Sequence, residues 1–168
     1  MPLEKAQLYS LDGDKYNFDF MFNPNELTIT RESEVSSNEG ARTTKGLPKV
    51  SFAYPKAAKI QISNIIIDTY EKQNAEERNV GNEIKKLTQT IKFIEGNFNR
   101  PPIYLFRWGN INYLHCYVES INYKLTLFLD DGTPVRAQVS LTLKEVDPTG
   151  VEQNPPAQSN LRQVDTRW

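Results

Sequence analysis

The chain has 168 residues, 38% of them hydrophobic, and carries 20 basic against 21 acidic side chains for a net charge of −1. That length and apolar content suit one domain with a true core, while so balanced a charge gives no global field toward nucleic acid or an anionic membrane. One cysteine, Cys116, excludes an internal disulfide framework, and no stretch approaches the roughly 20 apolar residues of a membrane span.

Residues 6–11 and 15–22 flank Asp12-Gly13-Asp14, a tight-turn signal between two strand-like runs. Phe18, Phe20 and Phe22 fall on one face of the second run. The corner Asn23-Pro24-Asn25 follows, where Pro24 has a fixed φ and no amide hydrogen and so suits a bend and not a central strand. Residues 26–32 read as the next strand, with Leu27 and Ile29 alternating against Thr28 and Thr30. With Phe22 and Leu27 expected in the core on either side, the corner turns the chain at a rim.

Residues 33–54 contain two Gly, one Pro and few bulky apolar side chains before Val50. Such a length is unusual for a loop in a compact domain and reads as a long arm, about 33–57. From 41 to 59 it carries Arg42, Lys45, Lys49, Lys56 and Lys59 with no acidic residue, interleaved with Phe52 and Tyr54. An arm of this kind docks on a neighbouring subunit through apolar anchors and cations. The alternatives are an idle loop and a nucleic-acid surface, in which the aromatics stack on bases.

"KIQISNIIID", residues 59–68, is β-branched and reads as a strand with a break at Asn64. After a polar stretch, Val80, Ile84, Leu87, Ile91 and Ile94 lie on one helical stripe, predicting a helix over about 79–95. Gly96 would cap it, and Pro101-Pro102 prevents its resumption. Such a stripe needs a sheet to cover. Strands follow at 103–108, 113–120 and 122–129, the last two being either separate or one long bent strand. After the "DDGTP" hairpin, residues 135–146 alternate Val135, Ala137, Val139, Leu141 and Leu143 against polar neighbours. Tyr123, Leu125, Leu127 and Leu129 show the same one-sided pattern in the partner strand. Residues 1–147 thus read as one β domain, and 148–168, rich in Pro, Gln and Asn, as a linker or tail.

Chemistry is sparse. The only His, His115, adjoins Cys116, but consecutive strand residues face opposite ways and cannot form a nucleophile–base pair. "DGDKYNFDFMFNPNE" has Tyr16 where a calcium loop needs its third oxygen ligand. Zinc lacks ligands, and no Lys precedes Ser or Thr as a phosphate loop requires. No catalytic residue, metal or cofactor is expected.

"FMFNPNELTITRE", then "RPPIYLFRWG" after a single helix, then "YVESINYKLTLFLDDGTPVRAQVSLTLKEV" resemble the tube-initiating baseplate proteins of phage-tail-like contractile injection systems, the last segment being the most specific. The similarity spans about residues 20–146. It implies a mainly β fold, a tail-tube-like antiparallel barrel or sandwich with one packed helix and an extended arm. It also implies a homo-hexameric ring that joins a central (VgrG-like) spike to the inner tube and meets other baseplate proteins. No direct membrane insertion is implied, and the arm would bind protein and not nucleic acid. Family members commonly carry a LysM module after a linker, and the tail ending "VDTRW" looks like the approach to one. Cytoplasmic synthesis and assembly fit this reading. The interface residues expected are Arg42, Lys45, Lys49, Phe52 and Tyr54 on the arm, with Pro24 at the corner. A monomeric barrel binding single-stranded nucleic acid through the basic arm is the alternative.

Overall fold

Alternation puts Ala6, Leu8 and Ser10 on one buried face of β1 (Ala6–Ser10), and the same period-2 rule builds the rest of the sheet. The computed structural model describes residues 2–94 and 100–150. Its strands are β1, β2 (Phe18–Asp19), β3 (Thr28–Thr30), β4 (Ser33–Arg42), β5 (Pro48–Pro55), β6 (Lys59–Asp68), β7 (Tyr104–Trp108), β8 (Ile111–Phe128) and β9 (Pro134–Glu145). Seven of them form an antiparallel sheet in the order β2-β1-β7-β8-β9-β6-β3, and β4 and β5 pair separately. The fold is mainly β, as expected. The end strands β2 and β3 do not pair with each other, so the sheet is open and not a barrel closed by hydrogen bonds. The expected tail from 151 onward lies outside the described residues.

One apolar cluster draws on both ends of the strand order, from Phe18 and Phe20 to Ile60 and Ile62, with Leu8, Tyr104, Phe106, Val118, Val139 and Leu143 between them. The helix contributes to the same cluster. After one helical turn, α1 (Ala75–Arg78), the stripe lies on α2 (Gly81–Gln89), where Ile84 and Leu87 are buried. Val80 just before α2 and Ile94 beyond it are buried too, and Ile91 packs partly against the cluster. The helix is thus shorter than expected. Thr90 ends it: both its amide and its hydroxyl donate to the Leu87 carbonyl, tightening the last turn. The Gly96 cap lies outside the described residues.

Asn64 breaks β6 as anticipated. It is the one non-glycine residue with positive φ among those described, at 57°, a region Asn tolerates best. The register of β6 on β9 shifts between Ile62 and Ile65 at that point, so the apolar residues on both sides still face inward. β8 is one 18-residue strand, and its register on β9 shifts between Val118 and Ser120.

The N-terminal hairpin differs from expectation. The run 15–22 contracts to the two-residue β2, preceded by a 3₁₀ turn over Asp14–Tyr16. Two asparagine side chains replace the missing strand. Asn17 Oδ1 accepts the Ser10 amide at 2.7 Å, and Asn23 Oδ1 accepts the Ala6 amide at 2.9 Å. Asn23 Nδ2 also donates to the Glu4 carbonyl at 2.8 Å. Because the chain bends after Asp19, Phe22 leaves the face of Phe18 and Phe20 and is exposed, a correction to the expectation that it anchors the corner. Leu27 packs partly against the core, and Pro24 is buried. The corner therefore serves geometry through Asn23 as much as through Pro24. Asn23→Ala leaves the Ala6 amide unpaired in a buried row. It should cost about 1–2 kcal/mol, lowering the melting temperature by about 3–6 °C in a domain of this size. A melting curve superimposable on that of the parent would contradict this role.

Asp12 lies under the same hairpin. Its carboxylate accepts both Arg100 terminal nitrogens, at 2.8 and 2.9 Å, and the Ile103 amide at 2.8 Å. The pair is largely shielded from water. Burial alone would raise the Asp12 pKa, but the Arg100 hydrogen bonds, the Ile103 amide and the guanidinium charge outweigh it and hold it below its ordinary 3.8. A depressed folded pKa means stability present above the unfolded value and lost as pH falls through the folded one. Asp12→Asn should cost about 3 kcal/mol near neutral pH, and the difference should shrink below about pH 4. Chemical denaturation of both proteins at pH 7 and pH 3 checks it; a gap that widens in acid would contradict the assignment.

Candidate assembly interface

The long arm takes the form of a two-stranded hairpin over residues 33–55, β4 against β5. Alternation makes it amphipathic. Val50, Phe52 and Tyr54 share one face, opposite Val35 and Ser37, through the pairs Val35↔Phe52 and Ser37↔Val50. The other face carries Lys49 and the Ser36–Ser51 hydroxyl pair at 2.6 Å. At the tip the Thr43 amide donates to the Leu47 carbonyl and the Gly46 amide to that of Thr43, with Gly46 at φ 79°. A side chain there would be strained, which is why the turn uses glycine.

Among the described residues the apolar face lies open to solvent. Phe52 is 76% exposed and Tyr54 70%, and Val35, Leu47 and Val50 are exposed beside them. An isolated two-stranded hairpin is at best marginally stable in water, and a row of exposed apolar side chains on one is an interaction surface or an aggregation hazard. None of the hairpin's described side chains joins the core cluster.

The structure divides the basic run. Lys56 faces Glu34 at 3.8 Å and Lys59 faces Glu119 at 3.4 Å, which neutralises the root of the hairpin. Arg42 donates to the Gly46 carbonyl at 2.9 Å across the tip. Lys45 and Lys49 are exposed and make no ion pair among the described residues. Of the expected interface residues, Arg42, Lys45, Lys49, Phe52 and Tyr54 share one hairpin, the cations toward its tip and the aromatic pair toward its root. Pro24 lies elsewhere, next to the Asn23 bridge to β1.

Sequence reasoning missed a second feature. β7 pairs with β8 only from Ile111 to Cys116, whereas β9 pairs with it as far as Phe128. From Tyr117 onward the far edge of β8 has no strand partner among the described residues. Only the mismatch between a five-residue run and an eighteen-residue one signals this in the sequence. Along the same stretch Tyr123 is 48% exposed and Leu125 40%, which corrects the expectation that they line the core. Their pattern is one-sided, but α2 leaves the face beside them as an open groove.

His115 and Cys116 do face opposite ways, since Cys116 is fully buried and His115 is not. Burial pushes the Cys116 thiol up to about 12, so it remains a thiol at neutral pH. Among the described residues no group of His, Cys, Asp and Glu is arranged to hold a metal, and no helix is long and apolar enough to cross a membrane.

Residues 3–153 match the family model described as contractile injection system tube protein. No curated protein matches the chain.

Proposed function

The chain belongs to the contractile injection system tube protein family, and from that premise we propose that it is the tube initiator, a hexameric ring between the central spike and the inner tube. Membership makes it a structural component that assembles with other parts of the injection system. The observation that carries the finer reading is the protruding hairpin, whose apolar face and basic tip lie open to solvent among the described residues of the single subunit. The far edge of β8, which no described strand pairs beyond Cys116, adds a stretch that a neighbouring strand would complete. Summed around a closed ring, the two contacts let a subunit of modest pairwise affinity form a stable collar on which tube rings grow.

The single-stranded nucleic acid reading asks for cations and stacking rings on one surface. Here Lys49 and the Phe52–Tyr54 pair lie on opposite faces of β5, which favours the protein-docking reading. Light scattering of the full chain, alone and with the spike protein, tests the proposal. The expected mass is about six times the 19.3 kDa subunit for the chain alone, or that mass added to the spike protein's own in the mixture. A monomer in both, with salt-sensitive capture of an oligonucleotide, would replace this reading with the alternative.

A further inference from the structure

Beside the exposed half of β8 lies a groove of about 450 Å³ between that strand and α2. Ile84, Tyr123, Leu125 and Pro134 give it an apolar lining, and Lys85 and Lys92 stand on it as cations. Neither lysine makes an ion pair among the described residues, whereas the adjacent Lys86 is satisfied by Glu83 at 3.0 Å. The groove therefore asks for an apolar anchor flanked by negative charge.

Such an element stands at the end of β8. At the tip of the β8–β9 hairpin, Phe128 is 52% exposed and is followed within three positions by Asp130 and Asp131, both exposed. The tip is preformed: the Leu129 amide donates to the Thr133 carbonyl, Asp131 Oδ1 accepts the Thr133 amide, both at 2.9 Å, and Gly132 turns the chain at φ 85°. A rigid tip loses little entropy on docking. The β4–β5 hairpin is also exposed and apolar, but its Arg42, Lys45 and Lys49 carry the same sign as Lys85 and Lys92. Like charges brought together across an interface oppose docking.

We infer that the α2–β8 groove receives the Phe128–Asp130–Asp131 tip of a second copy of this chain. Phe128 pairs with Pro134 at the rim of the groove, but none of the three tip residues lines it, so the contact joins two different patches and repeats from copy to copy. This rests on the assembly reading above and adds to it a contact that the β4–β5 hairpin does not make.

The test links two populations of the full chain. Copies carrying Asp131→Cys are mixed with copies carrying Lys85→Cys and treated with a short bis-maleimide; Cys116 is buried and gives little background. Tip and groove should link at least fivefold more than a Lys45→Cys and Lys85→Cys control pair. Adding Lys92→Glu to the groove copies should cut the yield at least fivefold, and Asp130→Lys in the tip copies should restore it. Light scattering on the same samples separates the ways to fail. Assemblies whose groove stays unlinked, or links to Lys45→Cys as readily as to the tip, overturn this inference and leave the ring standing. Samples that never exceed a monomer, with or without the spike protein, overturn both.

Discussion

Replacing Phe52 and Tyr54 together by serine will leave the subunit folded and abolish the proposed ring. Both side chains point into solvent from a hairpin none of whose described side chains joins the core cluster. Exposed substitutions away from buried features usually change stability by no more than about 0.5 kcal/mol. The melting temperature should therefore move by about 2 °C or less. Assembly should respond very differently. Buried aromatic anchors at the centre of an interface commonly contribute about 2 kcal/mol each, so losing two corresponds to roughly a thousandfold weaker subunit contact. Mass by light scattering, in the presence of the spike, reads the second effect while thermal unfolding reads the first. A variant that melts normally and still forms hexamers would mean that the aromatic face is not the contact. The same experiment on Lys45→Glu with Lys49→Glu should give a smaller loss that low salt exaggerates, since exposed charges act mainly on association rate.

The opposite outcome is expected of Phe106→Ala. Phe106 is fully buried on β7, edge-to-face with Phe20 at 6.3 Å and tilted against Tyr113 at 5.3 Å. It thereby ties the end of the strand order that holds β1 and β2 to the long strand β8. Truncating a large buried aromatic removes its transfer free energy and leaves a cavity that rigid neighbours fill only in part, typically about 3–5 kcal/mol. Against a usual stability of about 5–15 kcal/mol this is a large fraction, and it should lower the melting temperature by about 10 °C or more. Urea unfolding would show the midpoint falling with an unchanged slope. A fall of under 2 °C would mean that the aromatic cluster does not organise this core. Together the two variants separate residues that hold the subunit from residues that join subunits.

The elements easiest to read were those in which local periodicity and burial agree. In β9, Val135, Ala137, Val139, Leu141 and Leu143 are buried as their alternation demands, because that strand is flanked by β8 and β6 and one of its faces covers the core. The stripe Val80–Ile84–Leu87 was equally legible, and so was the break at Asn64. Where side chains substitute for backbone, the reading failed. β2 is only two residues long because Asn17 and Asn23 supply acceptors that a strand would otherwise provide, and no propensity scale distinguishes such an asparagine from a turn residue. The Asp12–Arg100 pair joins positions 88 apart in sequence, a distance over which one chain without partners gives no signal.

Residue order and spacing are enough to name the candidates for the interface. The basic run with its two aromatics, too long for an ordinary loop and too polar for a core, follows from length and local composition, and the mainly β class from period-2 alternation. Whether an apolar stripe ends up inside or outside is a property of what lies across from it. Tyr123 and Leu125 alternate like Val139 and Ala137, with which they pair in register. Yet the first two line an open groove beside α2 and the second two lie in the core. Tertiary structure alone decided that difference, and likewise the free edge of β8 and the amphipathic shape of the arm, because burial depends on the distance between elements and not on the order of residues within one.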